Sequence, residues 1–568
     1  MAMDQEGSQI LIYTRRPNND YTEALANSIH FAYSEGDHKF HPLNQNYGIL
    51  FALAKVDEQD VIQEKGLKNP YLFRTKSGEF GITAVRVDKQ GNEEETKGKV
   101  LFWSSKDLID FHDWGLVELN DDFPEADIVA HVKSIEETAN FADGNISNII
   151  PGNCISVDAK TLLAIKNRWL PLHNTEIQLP KSIQISSLEK LMDIKATAVY
   201  SDGSIAEKQV EWDCSKIDFT KQGTYNIKGK VVQDFFQFPL VKGYADPVIL
   251  PFDNRYYYLA TNDNVDDIGI FVRQADTKAQ LFEPGFYESK ILDVDEENQF
   301  IQTFWAPEFH LIGEELYIIF AVGPRKWGPQ CHMMKLRKGG DIMKAEDWES
   351  PIRVKKKDGS YLAEDGITLD MTYFKAGGVS CLVWSYRKNI GTPLDSGSML
   401  YIATTDERNP SVLISDPVLL SRPLYGWESI QGTINNEGPY PLVTNDMIYI
   451  TYSGGAANGY TYALGLLSIP IGGDYLDANA WKKATTPVLS YYSLKDVYGP
   501  GHNSFFKDYN GDVMILYHGE VKLAQMGIRC TGMHRVHFNK LGIPVFHVSG
   551  DRDLNSSLTN VSIAVSIG

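Results

Sequence analysis

The stretch YADPVILPFDNRYYYLATNDNVDDIGIFVRQADT, residues 244–277, reads as an Asp-Pro opening followed by two runs of β-branched and aromatic residues. Those runs, RYYYLAT (255–261) and IGIFVRQ (268–274), are separated by Asp, Asn and Gly. Such runs with such punctuation predict short strands joined by turns. The same texture continues through ELYIIFAV (315–322), SCLVWSY (380–386), MLYIATT (399–405), MIYITYS (447–453) and VMILYH (513–518). Long helical periodicity is nearly absent, and the better local helix candidates are DEQDVIQEKGL (57–67) and the stretch 158–168. Many short strands with irregular loops predict an all-β protein, as a sandwich, a barrel or a propeller. The spacing of the runs does not choose among them.

Working outward, the chain divides into three regions. Residues 241–568 are the largest. Before them, 173–240 hold alternating strand patterns broken at Asp202-Gly203 and at Gly223, over the length of a small sandwich. Its phrases YSDGS, VEWD and GTYNIKG resemble bacterial immunoglobulin-like modules. That resemblance implies a spacer bracing its neighbours, with sugar binding as the alternative, because a sandwich does not dictate function. Residues 1–172 carry an echo of the opening stretch: Asn69-Pro70-Tyr71-Leu72-Phe73-Arg74, then GEFGITAVRV, then KVLFWSSKDLIDFHDW. Where the later copy has Asp246 the earlier has Asn69, an amide that cannot accept a proton as a general base. The first region is therefore expected to be a partial, propeller-like accessory domain without catalysis of its own.

Composition narrows the partner. Lys and Arg total 54 against 74 Asp and Glu, a formal net charge of −20. A chain this acidic has no diffuse attraction for phosphate backbones or anionic lipid, so nucleic acid and membrane partners are not expected. A neutral ligand fits better, and 29 Tyr with 10 Trp supply ring faces of the kind sugars stack on, although strands favour these residues anyway. Five scattered cysteines without CxxC spacing argue against a disulfide framework and against zinc. The segment MAMDQEGSQILIYTRRP has no apolar core of signal-peptide length, which leads to the expectation of a cytoplasmic enzyme, or of a secreted one whose leader was trimmed. Oligomeric state is not legible.

From Asp246 onward six ordered phrases, YADPVIL, FWAPEFHLIGEELYIIFA, GITLDMTYF, NNEGPYPLV, YGPGHNSFF and GIRCTGMHRVHFNKLGIPVF, resemble glycoside hydrolase family 43 over roughly 300 residues. The resemblance implies a five-bladed β-propeller with the site at one end of its axis. It implies inverting hydrolysis of arabinofuranosides or xylosides, with Asp246 as general base, Glu437 as general acid and Asp370 raising the acid's pKa and orienting it. It also implies that His502 lies in the central channel, there touching through water a possible structural calcium ion, with no cofactor required for the reaction. Arg529 falls where the family places an arginine beside the modulating aspartate, with Arg535 as competitor. Trp305 and Glu308, in Phe304-Trp305-Ala306-Pro307-Glu308, match the segment lining the terminal-sugar pocket, while Trp384, Trp427 and Tyr440 are candidates for outer subsites or for core.

The residues support that chemistry independently. Inverting cleavage needs a protonated acid on the leaving oxygen and an ionised base on water, with roughly 6.5–9.5 Å between the carboxyls. Their environments must differ for one to hold its proton near neutrality. Asp246 precedes Pro247, which favours extended backbone before it, and Glu437 precedes Gly438-Pro439, a turn that projects the side chain. Asp370 lies between apolar residues, where a carboxyl is costly unless partnered. The expected activity is that of an exo-α-L-arabinofuranosidase acting on a carbohydrate. The alternatives are a β-xylosidase or β-galactofuranosidase on the same scaffold, or a carbohydrate-binding protein without turnover.

Overall fold

The computed structural model describes residues 7–567 apart from 37–38, 95–97, 119–132, 135–139, 142–147, 431 and 524–525. From residue 241 to 535 the strands fall into five antiparallel sheets met in succession. Their innermost strands are Tyr244–Phe252, Gln302–Ile312, Gly366–Ala376, Glu437–Val443 and Tyr498–Lys507. Each innermost strand touches the next, and the fifth returns to the first. This is the five-bladed propeller, and its ring is closed by a strand from the far end of the domain. Val241–Lys242 pairs with Cys530–Arg535 as the outermost strand of the fifth blade. Closure of this kind ties the start of the domain to its last blade, leaving each blade only a short outer edge at the periphery.

The sandwich forms around Ile205–Trp212, whose first half pairs with Ala196–Tyr200 and whose second half pairs with Gly223–Val232. One strand thus serves two sheets, with Val210, Trp212, Ile227 and Val231 buried between them. The expected boundaries need one correction. Asn560–Ile567 is not propeller but a central sandwich strand, antiparallel to Gly223–Val232 and parallel to Ser182–Ile185. Its Ile563, Val565 and Ile567 are buried in alternation, which is the reason it sits there.

The N-terminal region holds a four-stranded antiparallel sheet, Lys65–Arg74, Phe80–Asp88, Lys99–Ser105 and His112–Glu118. Beside it lies a sheet built on Gln9–Arg15, His30–Ser34 and Ile149–Ser156. The helix expected at 158–168 is present as Ala159–Trp169, capped by Asp158, whose side chain accepts from Thr161 N, and it buries Leu162, Ile165 and Trp169. The helix expected at 57–67 is absent: Asp57 caps a tight turn through the amides of Gln59 and Val61, and strands Ile62–Gln63 and Lys65–Arg74 follow. Asp at such a position competes with helix by bonding its own backbone. All five cysteines are free. Among the described residues no helix is long and apolar enough to cross a membrane.

Candidate active site

The five innermost strands share one irregularity. Pairing with the second strand of the blade slips between Ala245 and Val248, Trp305 and Glu308, Leu369 and Thr372, Glu437 and Tyr440, and Gly501 and Ser504. Within each slip one residue takes left-handed backbone: Asp246 (φ 53°), Ala306 (φ 45°), Asp370 (φ 53°), Gly438 (φ 56°) and His502 (φ 43°). A bulge bends its strand and re-aims a side chain. Left-handed φ is uncommon for residues with a Cβ and least so for Asp, Asn and His, so strain of this sort marks positions held for use. Asn69 (φ 51°) sits in the same slip, between Lys68 and Tyr71, in the N-terminal four-stranded sheet. The sequence echo is thus an echo of backbone geometry, with an amide in place of the carboxyl.

These bulges bring Asp246, Asp370 and Glu437, from three different blades, into the wall of one pocket of about 850 Å³. His502, Trp305, Arg529, Arg387, Asp267 and Asn435 line it with them. Asp246 Oδ2 accepts from Thr261 Oγ1 at 2.6 Å. Its Oδ1 stands 3.1 Å from His502 Nδ1, 3.1 Å from His518 Nδ1 and 3.6 Å from an Arg529 nitrogen. Burial alone would raise this carboxyl, but His502, Arg529 and His518 outweigh it and hold the group well below the usual carboxylate range. Of the three pocket carboxyls, Asp246 is the one whose surroundings favour the ionised form.

The other two carboxyls are pushed the opposite way. Burial foremost lifts Glu437 to about 7, opposed by the hydrogen bond from Tyr462 and the charge of Arg387, and reinforced by the charge of Asp246. Tyr462 donates to Glu437 Oε1 at 2.9 Å. Burial, then the charges of Glu437 and Asp246, raise Asp370 well above its ordinary value. Asp370 Oδ2 accepts from the Gly438 amide at 3.0 Å and from Ser385 Oγ at 3.4 Å, so it is tied to the residue next to Glu437. Two such groups titrate as a pair, and both are displaced toward the protonated form.

The remaining expected residues divide. Trp305 lines the pocket half-buried, donates Nε1 to Asp267 Oδ2 at 2.8 Å and meets the exposed Trp327 edge-on at 5.9 Å. Arg529 is at the site, yet it faces Asp246 and Asp263 and does not serve Asp370 as expected. It precedes the fifth-blade strand Cys530–Arg535, next to the first blade, and so reaches the carboxyl there. Glu308 is also a correction: it is 2% exposed, is not among the residues lining the pocket, and is engaged by His310 Nε2 at 2.7 Å, past the register slip at Ala306. Trp384, Trp427 and Tyr440 are core residues rather than outer subsites, each packed in a buried apolar cluster. Arg535 is remote from the pocket, paired with Asp553 against the sandwich.

His502 lines the pocket with Nδ1 on Asp246, while its Nε2 and both amide atoms of Asn503 are buried without a hydrogen-bond partner among the described residues. Among the described residues no group of three or more His, Cys, Asp or Glu is arranged to hold a metal directly. Calcium takes oxygen ligands, so from the pocket-lining imidazole nitrogen such an ion would be reached only through water. Sequence reasoning missed Tyr462, Arg387, His518 and Asp267. Each sits in or beside an ordinary strand run, and no local pattern separates it from strand residues around it.

Comparison with known proteins agrees with this geometry. The family description Glycosyl hydrolases family 43 matches residues 236–544, and Bacterial Ig-like domain (group 4) matches 194–233. The chain is 31% identical over 286 residues to the "Extracellular exo-alpha-(1->5)-L-arabinofuranosidase" of Streptomyces chartreusis, covering 50% of this chain and 82% of that protein. It is 30% identical over 318 residues to "Alpha-L-arabinofuranosidase B" of Pyricularia oryzae, covering 54% of this chain and 62% of that protein. Among solved structures, an alpha-L-arabinofuranosidase from Lactobacillus brevis aligns with a TM-score of 0.47 and 28% identity over 54% of this chain and 95% of that one. With more than half of its residues matched, and with the propeller and its gathered carboxyls in place, this chain belongs to glycosyl hydrolase family 43.

Proposed function

We propose that the chain is an exo-acting α-L-arabinofuranosidase that works with inversion, with Glu437 as general acid, Asp246 as general base and Asp370 as the group that tunes and orients the acid. The observation carrying this reading is the opposite displacement of two carboxyls in one pocket: Asp246 far down, Glu437 up to about 7. Protonated Glu437 gives its proton to the departing glycosidic oxygen as the bond to the anomeric carbon breaks. Asp246 takes a proton from the water that attacks that carbon from the other face, and both carboxyls then exchange with solvent. Arg529 holds the base ionised, and the Gly438 amide links Asp370 to the acid's strand. Trp305 offers a ring face for the terminal sugar, fixed by Asp267. A calcium ion reached through water from His502 Nε2 would act on the placing of the Asp246–His502 pair and take no part in bond making.

The printed names of the arabinofuranosidase relatives support the choice of sugar. The test is a panel of nitrophenyl α-L-arabinofuranoside, β-D-xyloside and β-D-galactofuranoside, with the first-formed anomer followed by NMR. Release of arabinose as the β anomer from the α-arabinofuranoside is expected. Preference for the xyloside would replace the substrate, retention would replace the mechanism, and binding without turnover by folded protein would leave a carbohydrate-binding protein.

A further inference from the structure

Beside the segment that leads into the Glu437–Val443 strand lies a charged pair that the reaction does not use. Glu428 is wholly buried, and Lys483, its side chain 20% exposed, stands 2.7 Å from it. Burying an ion pair is costly and by itself poor evidence of stabilisation, so its placing calls for a reason. Glu428 Oε1 accepts from Tyr452 OH at 2.8 Å and from Asn436 Nδ2 at 2.9 Å, while Oε2 accepts from the Tyr425 amide at 2.8 Å. Lys483 Nζ donates to Asn436 Oδ1 at 3.2 Å and to the Arg422 carbonyl at 2.7 Å. The Asn436 amide is therefore gripped at both ends, its oxygen also accepting from Ser421 Oγ at 2.7 Å. The backbone joins in: Asn435 N donates to Glu428 O at 3.1 Å and Asn436 N to Ser398 O at 2.8 Å. Asn436 is the residue before Glu437, so nothing but one peptide unit separates this clamp from the acid.

The N-terminal domain holds both jaws. Arg422, whose carbonyl Lys483 binds, donates NH1 to Asp60 Oδ1 at 2.6 Å and NH2 to the Asp60 carbonyl at 3.1 Å. Ala54 N donates to Leu424 O at 2.7 Å, one residue before Tyr425. Thr485 and Thr486, just past Lys483, donate to the carbonyls of Ile49 and Gly48 at 2.7 and 2.6 Å. Residues 48–60 thus run along the flanks of 422–428 and 483–486.

We propose that Glu428 and Lys483 are positioning residues for Glu437, and that the N-terminal domain acts on catalysis by holding this clamp. The proposal rests on Glu437 being the proton donor. A misplaced donor harms substrates whose leaving group needs a proton and spares those whose leaving group departs as a stable anion. Compare kcat/KM on an arabino-oligosaccharide and on a dinitrophenyl α-L-arabinofuranoside for the full chain and for Glu437→Ala, Glu428→Gln, Lys483→Met, Lys483→Arg and Asp60→Asn. Lys483→Met and Glu428→Gln are expected to lose about 10- to 100-fold more on the oligosaccharide than on the activated substrate, the scale of a small misplacement. Lys483→Arg is expected to recover part of that gap, and Asp60→Asn to show a smaller one. Equal losses on both substrates in Lys483→Met and Glu428→Gln, with the gap present in Glu437→Ala, would overturn the clamp and leave the acid standing. No gap in Glu437→Ala would overturn the acid assignment itself. Should Lys483→Met fail to fold, Asp60→Asn and Glu428→Gln decide: no gap in either refutes the proposal.

Discussion

Glu437 is the residue on which pH dependence turns. Its carboxyl is lifted from 4.5 to about 7, and in the proposed mechanism its protonated form is the active one, so kcat/KM should fall as pH rises through about 7. The limb belongs to the Asp370–Glu437 pair rather than to one residue. Asp246 is displaced downward, so no matching loss is expected on the acid side until below the ordinary carboxylate range. A limb near 4.5 on the alkaline side would contradict the pairing. The same lift has a stability consequence. Between about 4.5 and 7 the folded chain binds a proton that the unfolded chain releases, so Glu437 lowers stability as pH rises through that window. Glu437→Gln should cut kcat on arabino-oligosaccharide by about 10²–10⁴-fold. It should also unfold at a higher temperature than the parent at pH 8, by about 1–3 kcal/mol of added stability. Less stability in the variant at pH 8 would mean that the side chain is not strained by burial.

At the scale of the strand, the bulge rather than the residue is the repeated unit. Gly438 occupies the fourth of five equivalent places, with φ 56° and with an added Cβ 2.9 Å from the His502 ring. Gly438→Ala should destabilise the fold by about 1–3 kcal/mol and lower kcat, since the forced shift moves Glu437 on one side and His502 on the other. Chemical denaturation and steady-state rates check both, and a neutral substitution would remove the argument for a held backbone. The bulges also explain what could be seen beforehand. Asp246-Pro247, Asp370 and Glu437-Gly438-Pro439 were legible because the chemistry needs carboxyls and those phrases come in order. Glu308 was assigned to the pocket by likeness of the Phe304–Glu308 phrase, and a phrase does not show the slip between Trp305 and Glu308 or the bond to His310 that engages the carboxyl. Arg529 was found but given the wrong partner, since which blade faces which carboxyl depends on ring closure and not on spacing.

Across the whole molecule, the sandwich is a clasp on the propeller's two ends. The chain leaves it after Gly223–Val232, closes the ring through Val241–Lys242, and returns as Asn560–Ile567, with Val231 N bonded to Thr559 O at 2.8 Å. Sequence reading gave that last strand to the propeller because continuity along the chain was the only guide, and the pairing that overrides it spans more than 300 residues. At the seam Asp553, 4% exposed, takes Lys208 Nζ at 2.8 Å, Tyr200 OH at 2.6 Å and the Arg535 guanidinium. Arg535 belongs to the fifth blade, Lys208 and Tyr200 to the sandwich, so one carboxylate bonds both bodies. Asp553→Asn leaves two buried cations with a neutral amide between them. It should cost about 3–5 kcal/mol, the usual scale for breaking a buried pair from one side. Lys208→Met in the same chain should return part of that loss by removing one stranded charge. Because no atom of this cluster touches the pocket, kcat measured below the melting transition should stay at the parent value. A stability loss confined to the sandwich, with the propeller melting unchanged, would show that the clasp does not couple the two. A single transition displaced as a whole is the outcome the shared carboxylate requires.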